Sequence, residues 1–269
     1  FEAISTRMSM FGRQSLRAEG NETMPPAQRV YARFDDDVCT VSIDTSGEPL
    51  YRRGYKEHIS DAPLRETIAS LILRESDARS FRTIIDPMSG SGTFSIEAAI
   101  LVTCAPPGVR RNFIFQTWPV FRPRAFAHLR EGLLSNAKKP EESGVTILCA
   151  DKSSECVRVT QANLERSGFA GYIVPETRDF FSMPPYPLPD GRSLFVINPP
   201  FGKRIASGRE SLKLYRRIGN TMRSAYRGCH YAIIVPGREH EKALNLPAHK
   251  KIPFNFGGIN VTLEIGCVW

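Results

Sequence analysis

The stretch Thr83-Ile84-Ile85-Asp86-Pro87-Met88-Ser89-Gly90-Ser91-Gly92 decides how this chain is read. Three β-branched residues ahead of an acid predict a short buried strand over 83–86, because such side chains suit a covered, pleated surface. Pro87 cannot extend a ladder, and Gly90 and Gly92 allow tight backbone paths, so 87–92 reads as a loop. Residues 93–102 then read as a helix. Strand, glycine loop and helix in that order make the first unit of a doubly wound sheet.

Before this unit, 30–34 and 38–43 read as two short strands. Asp35, Asp36 and Asp37 between them make a hairpin turn rather than a metal site. A helix is expected after Asp61 as cap and Pro63 in the first turn, with Leu64, Ile68, Leu71 and Ile72 as its apolar face. After the unit, 106–144 is rich in aromatics and arginine and reads as an insertion ending in a helix over 125–137. Strands are then expected over 145–150, 172–177, 193–197 and 231–235, with helices over 155–166 and 211–226. The tail reads as two strands turning at Gly257 and Gly258. The expected class is therefore α/β: a doubly wound, Rossmann-like sheet over 61–269 with a closing antiparallel pair, preceded by a short N-terminal extension over 1–60.

The 269 residues allow one or two domains. Thirty-six Lys and Arg against 28 Asp and Glu leave a formal charge of +8, which favours a polyanionic partner. Six cysteines form no CxxC pair, so buried free thiols in a reducing cytoplasm are expected. No apolar run reaches the length of a membrane span and no signal peptide opens the sequence, so no membrane role is expected. Phe rather than Met at position 1 suggests a domain cut from a longer polypeptide.

The glycine loop lacks the Gly-Lys-Thr ending of a phosphate loop. An acid at its entrance, Asp86, would repel a pyrophosphate and attract a cation. S-adenosylmethionine, with a sulfonium and an ammonium and no phosphate, fits those demands. Asp151, after the second strand, is placed to accept ribose hydroxyls, and Asp179, after the third, an adenine amine. Taken singly, each aspartate reads equally well as a helix cap or a solvated loop residue. At the end of 193–197 stands Asn198-Pro199-Pro200-Phe201. Two prolines stop the strand, leaving an amide, a Pro199 carbonyl and an aromatic ring, which suit a planar base bearing an exocyclic amine. Alone, the same tetrapeptide reads as a proline-rich turn. Lys203 and Arg204 just beyond, and Arg52 and Arg53 beside Tyr51 and Tyr55, are candidate phosphate contacts or solvated loop charges.

With these residues in place, the chain resembles the class I methyltransferases that modify exocyclic amines, whose hallmark is [DNS]PP[YFW]. Asp86-Pro87-Met88-Ser89-Gly90-Ser91-Gly92-Thr93 with Glu97-Ala98-Ala99 is similar to the RNA guanine-N2 methyltransferases that carry a THUMP domain, above all the bacterial large-subunit ribosomal RNA enzymes. Ser46 to Leu50, Arg52 to Tyr55, Ala62 to Glu66, Phe254-Asn255 and Gly257-Gly258 extend the resemblance over about 30–269. Residues 1–28 are shorter than a THUMP domain, so the extension is expected to be its remnant and linker. The resemblance implies S-adenosylmethionine as cofactor, held by Asp86, Pro87, Met88, Gly90, Ser91, Gly92, Thr93, Asp151, Lys152, Asp179, Phe180 and Leu64. It implies catalysis by Asn198, Pro199, Pro200 and Phe201, and RNA as partner, ribosomal first and transfer RNA second, without a metal. The rival readings are a DNA adenine-N6 methyltransferase, an RNA-binding assembly protein keeping a residual cofactor pocket, and a small-molecule methyltransferase.

Overall fold

The computed structural model describes residues 28–56, 64–182, 185–186, 188, 192–200 and 208–269. Residues 28–48 and 113–121 form one unit, and the rest of the described chain forms another. In the first, β1 (Val30–Asp35) and β2 (Val38–Ile43) pair antiparallel, with Val30 opposite Ile43 and Asp35 opposite Val38. Asp36 turns the hairpin at φ 49°, a left-handed conformation that Asp tolerates. Alternation along the ribbon puts Val30, Ala32, Phe34, Cys39, Val41 and Ile43 on one face.

The larger unit runs α1 (Glu66–Glu75), β3 (Thr83–Asp86), α2 (Thr93–Thr103), α3 (Pro123–Ser135), β4 (Thr146–Asp151), α4 (Ser154–Ser167) and β5 (Pro175–Thr177). It continues through β6 (Ser193–Ile197), α5 (Gly208–Ala225), β7 (His230–Val235), α6 (Arg238–Leu244), β8 (Ala248–Phe256) and β9 (Ile259–Cys267). The seven strands lie in the order β5-β4-β3-β6-β7-β9-β8. From β5 to β7 all neighbours are parallel, and β9 runs antiparallel to both β7 and β8. The chain winds outward from β3 to β5 and then returns to β6 beside β3. The topological switch point therefore falls between β3 and β6, where open α/β sheets bind ligands at their carboxyl edge.

Both faces of this sheet are covered, which is why β3 and β6 are buried at every position and carry the apolar runs Ile84-Ile85 and Leu194 to Ile197. Ile84, Ile147, Leu194 and Val196 pack on one side with Leu73, Ile96 and Leu164. Ile85, Phe195 and Ile197 pack on the other with Tyr215, Ile218 and Met222 of α5.

Four expectations need correction. The buried face of α1 is Glu66, Ala69, Ile72 and Leu73, whereas Leu71 is 59% exposed. The helix is rotated because Glu66 turns inward to meet the Lys56 ammonium at 3.2 Å, a charge pair that has to be satisfied once buried. The strand expected over 172–177 is only Pro175–Thr177, because Gly171 turns at φ 88° and Ile173 makes an isolated bridge to Ala170. The helix of the insertion starts earlier, at Pro123 in the first turn, where its missing N–H costs nothing. Helix α6 was not expected. Asp61 and Pro63, the expected cap of α1, lie outside the described residues.

Candidate active site

A cavity of about 280 Å³ opens at the carboxyl ends of β3, β4 and β6. That is near the lower end of small-molecule pockets. Its walls include Pro87, Met88 and Gly90 from the loop after β3, Asp151 to Ser153 after β4, Asp179 to Phe181 after β5, and Asn198 and Pro200 after β6. Cys156 of α4 and Leu214 of α5 complete it. Two carboxylates and one ammonium, from Lys152, face this space, so it disfavours phosphate.

The loop is held from the neighbouring strand and helix. Ser89 N–H donates to the Ala150 carbonyl at 3.0 Å, and Gly90 N–H donates to Asp151 Oδ2 at 2.9 Å. From α4, Thr160 donates to the Gly90 carbonyl at 3.0 Å and Asn163 to the Ser91 carbonyl at 2.9 Å. Gly92 has φ 76°, and a β-carbon there would stand 2.7 Å from Thr160 Cγ2, so close approach to α4 requires glycine. The second Asp151 oxygen accepts the Ser153 N–H at 2.9 Å.

Asp86, the last residue of β3, is 1% exposed and does not itself line the cavity. Its Oδ2 accepts the Ser95 hydroxyl at 2.8 Å, while Oδ1 is buried with no partner among the described residues. Burial pushes this carboxyl up to about 7, against the pull of Ser95. In its ionised form such a carboxylate would attract a cation. Asn198 Oδ1 is likewise buried with no partner among the described residues, at the wall of the same cavity. Buried acceptors are ordinarily satisfied, so an unsatisfied one at a cavity wall marks a candidate ligand contact.

Of the remaining expected residues, Phe180 is 4% exposed and stacks on Tyr226 with ring centroids 5.8 Å apart. Asp179 also accepts the Phe181 N–H at 3.0 Å, which fixes the turn after β5. Thr93 is buried in the first turn of α2, bonded to Ser91 at 3.2 Å, and Ser91 and Gly92 shape the loop without lining the cavity. Leu64 is buried in the core and Pro199 is buried beside Asn198; neither lines the cavity. Arg53, expected on the polyanion side, is turned into the protein: its guanidinium meets Glu97 at 3.3 Å with 12% of its side chain exposed. Burial raises the Glu97 carboxyl, opposed by Arg53. Arg52 is exposed away from the cavity, and its carbonyl accepts Arg111 at 3.2 Å. Phe201, Lys203 and Arg204 lie outside the described residues.

Sequence reasoning missed Ser153, Cys156, Phe181 and Leu214 in the wall, and Thr160 and Asn163 behind the loop. The last two carried a signal, since two polar residues three apart face inward on an amphipathic helix. Among the described residues, no group of three His, Cys, Asp or Glu side chains could hold a metal, and no helix is long and apolar enough to cross a membrane.

Comparison with known proteins agrees with this geometry. A family model described as "RMKL-like, methyltransferase domain" matches residues 53–265. A ribosomal RNA large subunit methyltransferase K/L of Marinomonas sp. is 30% identical over 243 residues, covering 88% of this chain and 34% of that protein. The protein of the same name from Allochromatium vinosum is 30% identical over 256 residues, covering 92% and 34%. The chain thus spans about a third of the length of these relatives. The crystal structure of a possible methylase from Clostridium difficile 630 superposes with a TM-score of 0.81 at 26% identity, covering 99% of this chain and 68% of that one.

Proposed function

The chain belongs to the RMKL-like methyltransferase domain family, and from that premise we propose that it methylates the exocyclic N2 amine of guanine in RNA, large-subunit ribosomal RNA foremost, in the cytoplasm. S-adenosylmethionine is the cofactor; when bound it supplies an electrophilic methyl carbon on its sulfonium. Asp86 offers its unpartnered oxygen to the cofactor's cationic end. Asp151 receives ribose hydroxyls on lone pairs left free by Gly90 and Ser153, and Asp179 receives the adenine amine.

The observation that carries the reading is the buried, unpartnered Asn198 Oδ1 at the end of β6, beside a cavity that favours a cation over a phosphate. A guanine amine is a poor nucleophile because its lone pair is delocalised into the ring. Asn198 Oδ1 and the Pro199 carbonyl accept its two hydrogens and so localise the pair along the attack direction. Alignment is the main contribution, and no strong base is needed. Phe201 stacks on the base once it has left its helix, a contact worth about 1 to 3 kcal/mol.

The test is transfer of label from methyl-labelled S-adenosylmethionine to ribosomal RNA, transfer RNA and duplex DNA, offered separately. Label is expected in RNA, ribosomal RNA above transfer RNA. Label in duplex DNA alone would move the chain to the adenine-N6 reading, and binding of RNA with no transfer to any polymer would make it a binding protein.

A further inference from the structure

Helix α5 presents two unlike faces. Ser211, Tyr215, Ile218, Gly219 and Met222 are buried against the sheet. On the other side, Arg209, Lys213, Arg216 and Arg217 are all exposed. At 3.6 residues per turn these four cations fall within about 100° of arc, and at 1.5 Å per residue they span about 12 Å of the axis. The one acid in the helix, Glu210, stands at the margin of that arc. Among the described residues, no ion pair engages Arg209, Lys213 or Arg216. The other helices over this sheet differ: α4 pairs Arg158 with Glu155, and α6 carries Glu239 and Glu241 in its first turn.

The stripe begins at the cavity. Leu214, on the same helix, lines the cavity wall. The Arg217 guanidinium lies 4.0 Å over the ring of Phe181, another wall residue. A polymer whose base enters the cavity must pass its backbone over the rim, and here the rim continues into that row of cations. We propose that the face of α5 bearing Arg209, Lys213 and Arg216 docks the phosphates of the RNA strand flanking the target base. This rests on the RNA reading above and adds to it the track along which the strand runs.

The test replaces the three together (R209Q, K213Q and R216Q) in the 269-residue chain. Binding of a large-subunit ribosomal RNA transcript is then followed across salt, and S-adenosylhomocysteine affinity is measured in parallel. For a single strand, each phosphate that is no longer neutralised flattens the slope of log K against log salt by about 0.7, so a slope flatter by about 2 is expected, with cofactor affinity kept. A second variant, R209K with R216K, retains the charges and is expected to keep the slope. Steep binding by the unaltered chain with the same slope in the triple variant overturns the proposal. So does a matching loss of S-adenosylhomocysteine affinity that the lysine variant shares, which would assign these residues to folding of α5. If the unaltered chain binds RNA without salt dependence, the RNA reading itself falls, whatever the variants do.

Discussion

At the end of β4 the Asp151 carboxylate takes N–H bonds from Gly90 and Ser153, whereas at the end of β6 the Asn198 side-chain oxygen is buried with no partner among the described residues. Both groups border the same cavity. An acceptor already engaged by backbone shapes the site before any ligand arrives and then contributes what lone pairs remain. An acceptor kept dry and unengaged does nothing for the fold, and on the proposed reading it is available in full to the reacting group. Asp86 is intermediate in this respect, with one oxygen on Ser95 and the other buried with no partner among the described residues.

The sharpest way to break this contrast is Asn198→Ala. Methyl transfer is expected to fall by about 10²-fold or more, in the range seen when a group aimed at a reacting centre is removed. Cofactor affinity should hold within a few-fold. Thermal stability should not fall, since deleting a buried acceptor with no partner leaves nothing newly unpaired. A drop in melting temperature would show that the oxygen has a structural task. Asp151→Ala should behave oppositely. It unhooks Gly90 and removes the proposed ribose acceptor, so calorimetry should show cofactor affinity down by roughly 10- to 100-fold. Stability should fall with it, by about 1 to 3 kcal/mol for removal of a charged hydrogen-bond partner.

Asp86 adds a pH dependence. Its carboxyl is raised in the folded protein, to about 7, so its contribution to stability without cofactor is complete below its unfolded value and lost as pH climbs through 7. Cofactor binding runs the other way, because a cation needs the ionised form. S-adenosylmethionine affinity should strengthen by up to tenfold per unit as pH rises toward 7 and level off above it. Asp86→Asn should flatten both profiles, and an unchanged slope in that variant would remove Asp86 from the cofactor site. The smallest effect separates the two loop glycines. Gly92→Ala forces a β-carbon against Thr160 and should cost about 1 to 3 kcal/mol, while Gly90→Ala, with nothing within 4 Å, should cost about 1 kcal/mol for its left-handed φ alone. Denaturant midpoints check the pair, and equal costs would mean Thr160 yields freely.

The same contrast explains what could be read from the chain beforehand. Strand ends, glycine loop and tetrapeptide are local patterns, so residue type and order alone lead to Gly90, Asp151, Asp179 and Asn198, and the family resemblance adds Pro87, Met88, Lys152, Phe180 and Pro200; all of these line the cavity. What escapes such a reading depends on partners far along the chain. Arg53 sits among tyrosines, a pattern that suits nucleic acid, yet the carboxylate that claims it is Glu97, 44 positions away. Glu66 rotates α1 through the buried Lys56, which no periodicity in the helix itself discloses. Leu214 and Phe181 become wall residues only because α5 packs beside the turn after β5.

The most direct test of the central claim is digestion of RNA methylated by this chain and identification of the modified nucleoside by mass spectrometry against standards. The account predicts N2-methylguanosine, absent when Asn198→Ala replaces the unaltered chain. N6-methyladenosine, a ring-carbon methyl or a ribose methyl would contradict it, because Asn198 and the Pro199 carbonyl would then not be accepting the hydrogens of a guanine amine.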